Sequence, residues 1–322
     1  MERRKKKKNK NVYPIIIATV IYIYIIAVSF IIIFASNVGA VIDEDAKTIT
    51  SLPDITRLDV DKDFKTVEVE TSNMYHGPLV LVNNYYDCKF DGDDPVVVLE
   101  NFNNCYQVAS YDVKVSNSVM ENLNNMLGDF YSATGNKYTM VSSGYRSREL
   151  QQELYDEDQE ERAKNSDNGD EFVAVPGYSE HQTGYAMDFT VVIDGVTTTF
   201  DNEGDYSWVL NNCSKYGFIL RYPEDKVGVT EIGYETWHYR YVGVPHSLYI
   251  QQNNLCLEEY INIVEQHNIT SPLYINDNDL TRYMVYFVPA SSDNKTLISV
   301  PKDREYEISG DNVNGFVVSI KL

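Results

Sequence analysis

Two histidines with nearby carboxylates are the residues of this sequence best suited to chemistry. The chain contains five histidines; His181 lies seven residues before Asp188, and His238 lies three residues after Glu235. Two imidazoles and one carboxylate form a ligand set that holds Zn²⁺ with one coordination position open. An open position admits water or a substrate carbonyl, which is the mark of a catalytic site. The pattern therefore indicates a catalytic metal site.

Structural roles for the same histidines stay open at this point. His181 could be a polar loop residue, and His238 could be a strand residue packed among aromatic side chains. The sequence contains no HExxH motif, and residues three apart in an ideal strand point to opposite faces. Glu235 and His238 can therefore serve one site only if the strand begins or bulges between them. The remaining histidines are not expected to be ligands: His76, His246 and His267.

The segments around these residues predict a mixed helical and strand structure. Residues 116–135 carry apolar side chains at helical spacing, and Gly135 can end that helix. Further predicted elements are a strand at 137–147, a helix at 148–161, a hairpin at 189–200 with its turn at Asp194-Gly195, and an aromatic strand at 234–245. Three glycines near the motifs predict turns with positive φ: Gly144, Gly177 and Gly184.

The N-terminus has the pattern of a membrane anchor. Seven basic residues precede residue 11, and residues 15–35 form an apolar run of 21 residues. A helix of this length spans roughly 30 Å, the thickness of the bilayer hydrocarbon. Because basic residues flank the cytoplasmic end of such helices, we expect residues 1–36 to be a cytoplasmic head and a single-pass transmembrane helix. The alternative is a cleaved signal peptide, since small residues follow at 38–40.

The rest of the chain is expected outside the cytoplasmic membrane. Its sequence predicts three regions. Residues 37–77 are polar and acidic and predict an extracellular stalk. Residues 78–268 predict the catalytic domain, with an α+β fold. Residues 269–322 predict a small β-rich C-terminal appendage.

Charge and cysteine content limit the partners and the compartment. The formal net charge of −21 argues against a nucleic-acid partner, because phosphate contacts need a basic surface. An oxidising compartment permits disulfides without requiring them. Cys88 and Cys105 form one possible pair, and Cys213 and Cys256 form another unless they stay as buried thiols.

Four motifs occur in an order that resembles one enzyme family. They are SSGYRSRELQ (142–151), PGYSEHQTGYAMD (176–188), YGFILRYP (216–223) and YETWHYRYVG (234–243). Together they resemble the VanY-type D-alanyl-D-alanine carboxypeptidases, which are zinc peptidases of the bacterial cell wall and share a fold with the Hedgehog signalling domain. The resemblance extends from about residue 79 to residue 260. It implies helices packed against a mostly antiparallel sheet.

The resemblance also implies roles for individual residues. Matching the motifs implies one zinc ion with three ligands: His181, Asp188 and His238. Glu235 would be the catalytic base. Arg146 would be a second catalytic residue, which either shares the oxyanion charge or binds the terminal carboxylate of the substrate. Substrate contacts are implied for Ser179, Gln151, Tyr222 and Trp237.

The activity implied by the resemblance is removal of the C-terminal D-Ala from peptidoglycan stem peptides. The nearest alternative is an L,D-carboxypeptidase that acts on tetrapeptide stems, because the sequence of the pocket loops does not reveal which peptide fits. A less favoured alternative is a non-catalytic, zinc-containing wall-binding module. Two positions depart from the family pattern: Glu231 replaces a usual Gly, and Thr236 replaces a common Pro. They concern loop shape and substrate preference rather than the ligands or the base.

Overall fold

A computed structural model describes residues 58–165, 173–277 and 281–322. The predicted cytoplasmic head and anchor, residues 1–36, lie outside these ranges, as does most of the predicted stalk. Within the described ranges, no helix is both long enough and apolar enough to cross a bilayer.

The described part of the chain alternates short helices with short strands. Its helices are α1 (Val60–Asp63), α2 (Val98–Asn101), α3 (Asn117–Thr134), α4 (Arg148–Asn165), α5 (Ser207–Asn212), α6 (Val227–Thr230), α7 (His246–Gln252) and α8 (Leu257–Val264). Its strands are β1 (Phe64–Glu70), β2 (Pro95–Val97), β3 (Gln107–Val108), β4 (Lys114–Ser116), β5 (Thr139–Ser143), β6 (Ala186–Ile193), β7 (Val196–Thr199), β8 (Phe218–Leu220), β9 (His238–Tyr241), β10 (Leu273–Asn276), β11 (Arg282–Pro289), β12 (Lys295–Pro301), β13 (Tyr306–Gly310) and β14 (Gly315–Lys321).

One sheet carries the motifs. Its strand order is β3-β5-β6-β9-β8, and β7 pairs with β6 beside this path. All of these pairs are antiparallel except the pair of β3 with β5. The expected α+β fold with a mostly antiparallel sheet is therefore confirmed, and β6 and β9 are direct neighbours.

Helix α3 supplies much of the core behind this sheet. Its apolar positions at helical spacing are all buried: Val119, Met120, Leu123, Met126, Leu127 and Phe130. Gly135 ends the helix with a φ of 71° and donates its N–H to the Tyr131 carbonyl. The same core contains side chains of the sheet, among them Met187, Phe189 and Tyr239.

The predicted hairpin is also present. It joins β6 to β7 through Asp194 and Gly195, whose φ angles are 50° and 81°. Two successive positive φ angles are the signature of a type I′ turn, which Asp-Gly adopts readily.

The C-terminal strands form a second sheet with the order β10-β11-β14-β13. Strand β12 pairs instead with β1, from Phe64 opposite Pro301 to Glu70 opposite Lys295. Residues 64–70, which lie within the predicted stalk, thus form a strand whose partner lies near the other end of the chain. In sequence, 227 residues separate Glu68 from Lys295, so local pattern alone does not reveal the pairing.

The second sheet shares a hydrophobic core with the region predicted to be catalytic. This buried cluster combines residues of a loop, of α7 and α8 and of the second sheet, among them Leu79, Leu81, Ile250, Tyr260, Val285 and Val317. The segment predicted as an appendage is therefore packed onto the remainder of the folded chain.

The four cysteines are free thiols in the described part of the chain. Cys88, Cys213 and Cys256 are buried, and Cys105 is partly exposed. Burial raises the pKa of the Cys88 thiol to about 11, which keeps it protonated at neutral pH. The disulfides that the sequence allowed are not formed in this structure.

Candidate metal centre

His181 is positioned by a short 3-10 turn, Glu180–Thr183, which ends at Gly184 in the left-handed region with a φ of 80°. The His181 Nδ1 atom lies 2.6 Å from the Gly144 carbonyl oxygen. Because a carbonyl can only accept, Nδ1 carries the proton and Nε2 is left with its lone pair. Nε2 faces Asp188, 3.3 Å from Oδ2.

Gly144 serves this contact by allowing close backbone approach. A Cβ at this position would lie 2.0 Å from the Lys114 carbonyl oxygen. Gly177 and Gly184 do have the predicted positive φ, at 94° and 80°. The prediction of positive φ was wrong for Gly144, where the need for glycine is steric.

Asp188 and His238 meet across the sheet. They are directly opposite in the antiparallel ladder of β6 and β9, and His238 Nδ1 lies 3.0 Å from Asp188 Oδ1. Strand β9 begins at His238, so Glu235 lies before the strand and is free to turn towards the same site. The Glu235 Oε2 atom lies 3.7 Å from His238 Nδ1.

The three residues fit a zinc ion. One ligand atom from each of His181, Asp188 and His238 can be chosen so that all lie within 4.8 Å of one another. Each imidazole directs one nitrogen to this group and the other to a separate oxygen, which is the arrangement of metal-bound histidines. Three protein ligands leave a coordination position for water or substrate.

The charges of the site favour a cation. Burial opposes the charged form of His238, but the nearby carboxylates of Asp188 and Glu180 outweigh it and raise the His238 pKa to about 9. For His181, burial and then the Arg146 charge lower the pKa to about 4. Burial raises the pKa of Glu235. The negative field that draws a proton to His238 equally favours a divalent metal.

The cleft in front of these ligands has a volume of about 590 Å³. The structure brings together all of the residues to which the sequence assigned a site role: Arg146, Gln151, Ser179, His181, Asp188, Tyr222, Glu235, Trp237 and His238. The Tyr222 ring lies 5.0 Å from the His238 ring, between centroids. Trp237 both lines the cleft and packs against the hydrophobic core between α3 and the sheet.

Arg146 is held at the edge of the ligand group. Its Nη1 donates to Gln151 Oε1 at 3.1 Å, and its Nη2 lies 3.7 Å from Asp188 Oδ2. Gln151 donates in turn to the Ala174 carbonyl at 2.8 Å, so its amide fixes the guanidinium. The buried Arg146 Nε makes no hydrogen bond to the described residues, which leaves a donor for an anionic group.

Sequence reasoning missed Glu180. Its carboxylate is fully buried and lies behind His238, with Oε2 3.5 Å from His238 Nε2. Two buried arginines donate to its other oxygen, Arg221 at 2.8 Å and Arg240 at 2.7 Å. The available signal was an unusual pair of arginines inside apolar strand segments, since such charges need buried partners.

Glu231 was noticed in the sequence, and the structure gives its conformation. Its φ is 56°, in the left-handed region that glycine adopts without strain. The Tyr85 hydroxyl donates to the Glu231 carboxylate at 2.7 Å. This contact joins two loops at the rim of the cleft, which Asn83 and Asn84 also line.

Comparison with known proteins agrees with this geometry. A family model described as D-alanyl-D-alanine carboxypeptidase, VanY, matches residues 112–244. A D-alanyl-D-alanine carboxypeptidase of Enterococcus faecium is 32% identical over 260 residues, which cover 80% of this chain and 78% of the relative. The chain belongs to the VanY family.

Solved structures of this kind include the vancomycin resistance D,D-dipeptidase VanXYg with a D-Ala-D-Ala phosphinate analogue. It has a TM-score of 0.69 and 31% identity, and the match covers 80% of this chain and 99% of that one. A mutant of the D,D-pentapeptidase VanY from a VanB-type cassette, in complex with Zn(II), has 34% identity and a TM-score of 0.46, over 57% of this chain and 99% of that one. Zinc is the cofactor of this chain, and the described residues that could hold it are His181, Asp188 and His238.

Proposed function

We propose that this protein is a zinc-dependent D-alanyl-D-alanine carboxypeptidase that removes the C-terminal D-Ala from peptidoglycan stem peptides. The observation that carries the proposal is the convergence of the ligands His181, Asp188 and His238 with Glu235 and Arg146 in one cleft. The relatives named as D-alanyl-D-alanine carboxypeptidases support the substrate class.

The proposed chemistry is general base catalysis beside a metal. A bound zinc ion supplies a Lewis acid that activates water near neutral pH. Glu235 accepts the proton of the attacking water and delivers it to the leaving amine of D-Ala. The raised pKa of Glu235 suits this double role, since burial brings its affinity for a proton closer to neutral pH.

Arg146 is proposed to stabilise the developing oxyanion. Its guanidinium lies beside the ligand Asp188, and its buried Nε is unused by the described residues. A fixed cation in a site that excludes water stabilises a developing negative charge more strongly than the same cation does in solution. Gln151 then holds Arg146 in place rather than contacting substrate, because both ends of its amide are engaged within the protein.

The remaining cleft residues are proposed to bind the peptide. Ser179 presents a short polar side chain beside the ligands, while Tyr222 and Trp237 provide aromatic surface around the scissile bond. Such a division between a few polar groups and an aromatic wall is common in small-ligand sites.

The experiment uses residues 58–322 of the protein and two synthetic stem peptides. D-Ala release from a pentapeptide is expected, with loss on chelation and recovery with Zn²⁺. Hydrolysis of the tetrapeptide instead would assign L,D-carboxypeptidase activity. Peptide binding without release of D-Ala from either substrate would assign a wall-binding module.

We also propose that residues 1–36 anchor the enzyme in the cytoplasmic membrane as a single span. The N-terminus would lie inside and the catalytic region of residues 78–268 outside, with residues 37–77 leading to it. The basic cluster and the 21-residue apolar run support this orientation. Fractionation of cells should recover the intact protein in the membrane fraction. Protease added to intact spheroplasts should then degrade the catalytic region, because that region would lie outside the membrane.

A further inference from the structure

Four charged side chains are buried together behind the candidate metal centre. Glu180 Oε1 accepts from Arg221 Nε at 2.8 Å and from Arg240 Nη1 at 2.7 Å. Arg221 donates its other two nitrogens to Glu258, at 2.9 Å and 2.6 Å. The side chains of Glu180, Arg221 and Arg240 have 0% exposure, and that of Glu258 has 10%. Two positive and two negative charges cancel within this cluster.

Stability alone is a weak reason for such a cluster. Removing two ion pairs from water costs several kcal/mol per ion, and well-packed apolar residues of similar volume are often as stable or more stable. A buried ionic cluster that contacts a metal ligand can instead orient that ligand, because polar contacts fix directions that apolar contacts do not.

The cluster reaches His238 through the second oxygen of Glu180. Oε2 makes no hydrogen bond to the arginines, and it faces His238 Nε2 at 3.5 Å. Ionised carboxylates can only accept, so a metal ion bound beside Asp188 takes the place of a proton on Nδ1 of His238, while Nε2 keeps its proton towards Glu180. The lone pair is thereby placed on Nδ1, the atom that faces Asp188 at 3.0 Å.

The cluster also extends to helix α8 and to the rim of the cleft. Glu258 lies in the first turn of α8 and accepts from Asn83 Nδ2 at 3.2 Å. Asn83 lines the cleft, and its Oδ1 accepts from the backbone N–H of Tyr85 at 2.9 Å. Hydrogen bonds thus run from helix α8 through Arg221 to Glu180, whose second oxygen contacts His238 Nε2 at 3.5 Å.

We propose that Glu180 sets the tautomer and direction of His238, and that Arg221 and Glu258 hold Glu180 in place, so that helix α8 supports the metal centre. Glu180 and Glu258 are positioning residues, because neither faces the metal directly. This inference rests on the proposed zinc site and adds the residues that prepare one of its ligands.

A direct test reads the two imidazoles by nitrogen NMR. In the zinc-loaded protein, His238 should carry its proton on Nε2 and His181 should carry its proton on Nδ1, so the two ligands have opposite tautomers. This measurement needs no mutation. A proton on Nδ1 of His238 would overturn the proposal.

A second test replaces Glu180 with Gln and measures Zn²⁺ affinity by chelator competition. The two arginines claim the amide oxygen, so the amide N–H faces His238 Nε2 and favours the tautomer with the proton on Nδ1. Zinc affinity should fall about 10- to 100-fold, and the visible spectrum of the Co²⁺-substituted protein should change. Glu231→Gln is the matched control, since it removes a carboxylate of the same cleft away from His238 and should change affinity less than about threefold.

The third test moves one step further out, to helix α8. Glu258→Gln should lower Zn²⁺ affinity by a smaller factor than Glu180→Gln, about 3- to 10-fold, because Arg221 keeps one acceptor. Glu259→Gln on the same helix is the control, because its side chain pairs with Lys226 and Gln retains its capping bond to the Cys256 N–H. Equal affinities for Glu258→Gln and Glu259→Gln would remove α8 from the proposal.

The outcomes separate this inference from the proposed function. Absence of zinc binding by the unmodified protein would contradict the zinc site itself. Tight zinc binding that Glu180→Gln leaves unchanged, with an unaltered Co²⁺ spectrum, would contradict only the inference about Glu180.

Discussion

Glu235 lies beside the three candidate zinc ligands and is not one of them. Its carboxylate is buried and 3.7 Å from His238 Nδ1, while the three ligand atoms come from other residues. Replacing Glu235 with Gln should therefore leave zinc bound and lower kcat on the pentapeptide by about 10²- to 10⁴-fold. Metal analysis and steady-state kinetics of the same preparation check this. Loss of zinc together with activity would instead make Glu235 a ligand.

Replacing Arg146 distinguishes two roles for its positive charge, which are stabilisation of the oxyanion and recognition of the terminal carboxylate. If it stabilises the oxyanion, Arg146→Lys should lower kcat by about 10²-fold or more with a small change in KM, because the lysine ammonium cannot reproduce the held fork of donors. Initial rates over a range of pentapeptide concentrations separate the two constants. A large rise in KM with kcat nearly unchanged would assign Arg146 to recognition of the terminal carboxylate.

The grouping of the predicted ligands and base in one cleft was predictable at the scale of single residues, because short motifs carry these residues. His181 and Asp188 share one turn and strand, and Glu235 and His238 are three residues apart. Glu180 was not predictable in the same way, although it is adjacent to His181. Its partners Arg221 and Arg240 are 41 and 60 residues away in sequence, so only the folded sheet reveals why this carboxylate is charged and buried.

The turn after β5 must approach β4 closely in order to hold His181. A Cβ on Gly144 would lie 2.0 Å from the Lys114 carbonyl oxygen, and the Gly144 carbonyl is the acceptor of the His181 Nδ1 proton. Gly144→Ala should lower the free energy of unfolding by about 1–3 kcal/mol and weaken zinc binding. Urea unfolding and chelator competition measure the two effects. Gly228→Ala is the control, since no atom lies within 4 Å of the added Cβ and stability should be unchanged or slightly higher.

Helices α7 and α8 meet at a buried histidine. His246 Nδ1 lies 2.6 Å from the Tyr260 hydroxyl, and burial lowers the pKa of His246 to about 3. Below the unfolded pKa of about 6.5 the unfolded chain binds a proton that the folded protein rejects, so stability is full above that pH and falls towards pH 3. Between pH 7 and pH 5 this residue should account for about 2 kcal/mol of lost stability.

Urea unfolding of the wild type and of His246→Gln at pH 7 and pH 5 isolates this contribution. Gln can still bond to Tyr260 but does not titrate in this range. The variant should lose less stability on acidification than the wild type by about 2 kcal/mol. Parallel pH profiles would show that other groups cause the acid sensitivity.

At the scale of helices and strands, the sequence pattern predicted those features that depend on contacts within a single element. The buried face of α3, its end at Gly135 and the hairpin turn at Asp194-Gly195 follow from side chains within one element. The close approach at Gly144 depends instead on β4, which the sequence did not place beside it. The steric requirement therefore appeared in the sequence as an ordinary turn glycine.

At the scale of the described residues as a whole, a strand near residue 64 pairs with a strand near residue 300. The segment TVEVE alternates as a strand would, but the sequence does not say where its partner lies. In the structure β1 pairs along its full length with β12, and the second sheet beside it packs on α7 and α8. Residues 78–268, which the motifs predict to be the catalytic domain, therefore pack together with strands from both sides of that range.

This architecture predicts the outcome of shortening the protein at two positions. A chain of residues 78–322 lacks β1, and with it the buried Phe64 and the partner of β12, whose Ile298 and Val300 have 0% exposure. Uncovering these side chains should cost about 3 kcal/mol or more and lower Tm by about 6–12 °C relative to residues 58–322. Differential scanning calorimetry of the two chains measures the shift. Equal melting temperatures would mean that β1 adds nothing to the fold and that residues 64–70 act as the stalk which the sequence suggests.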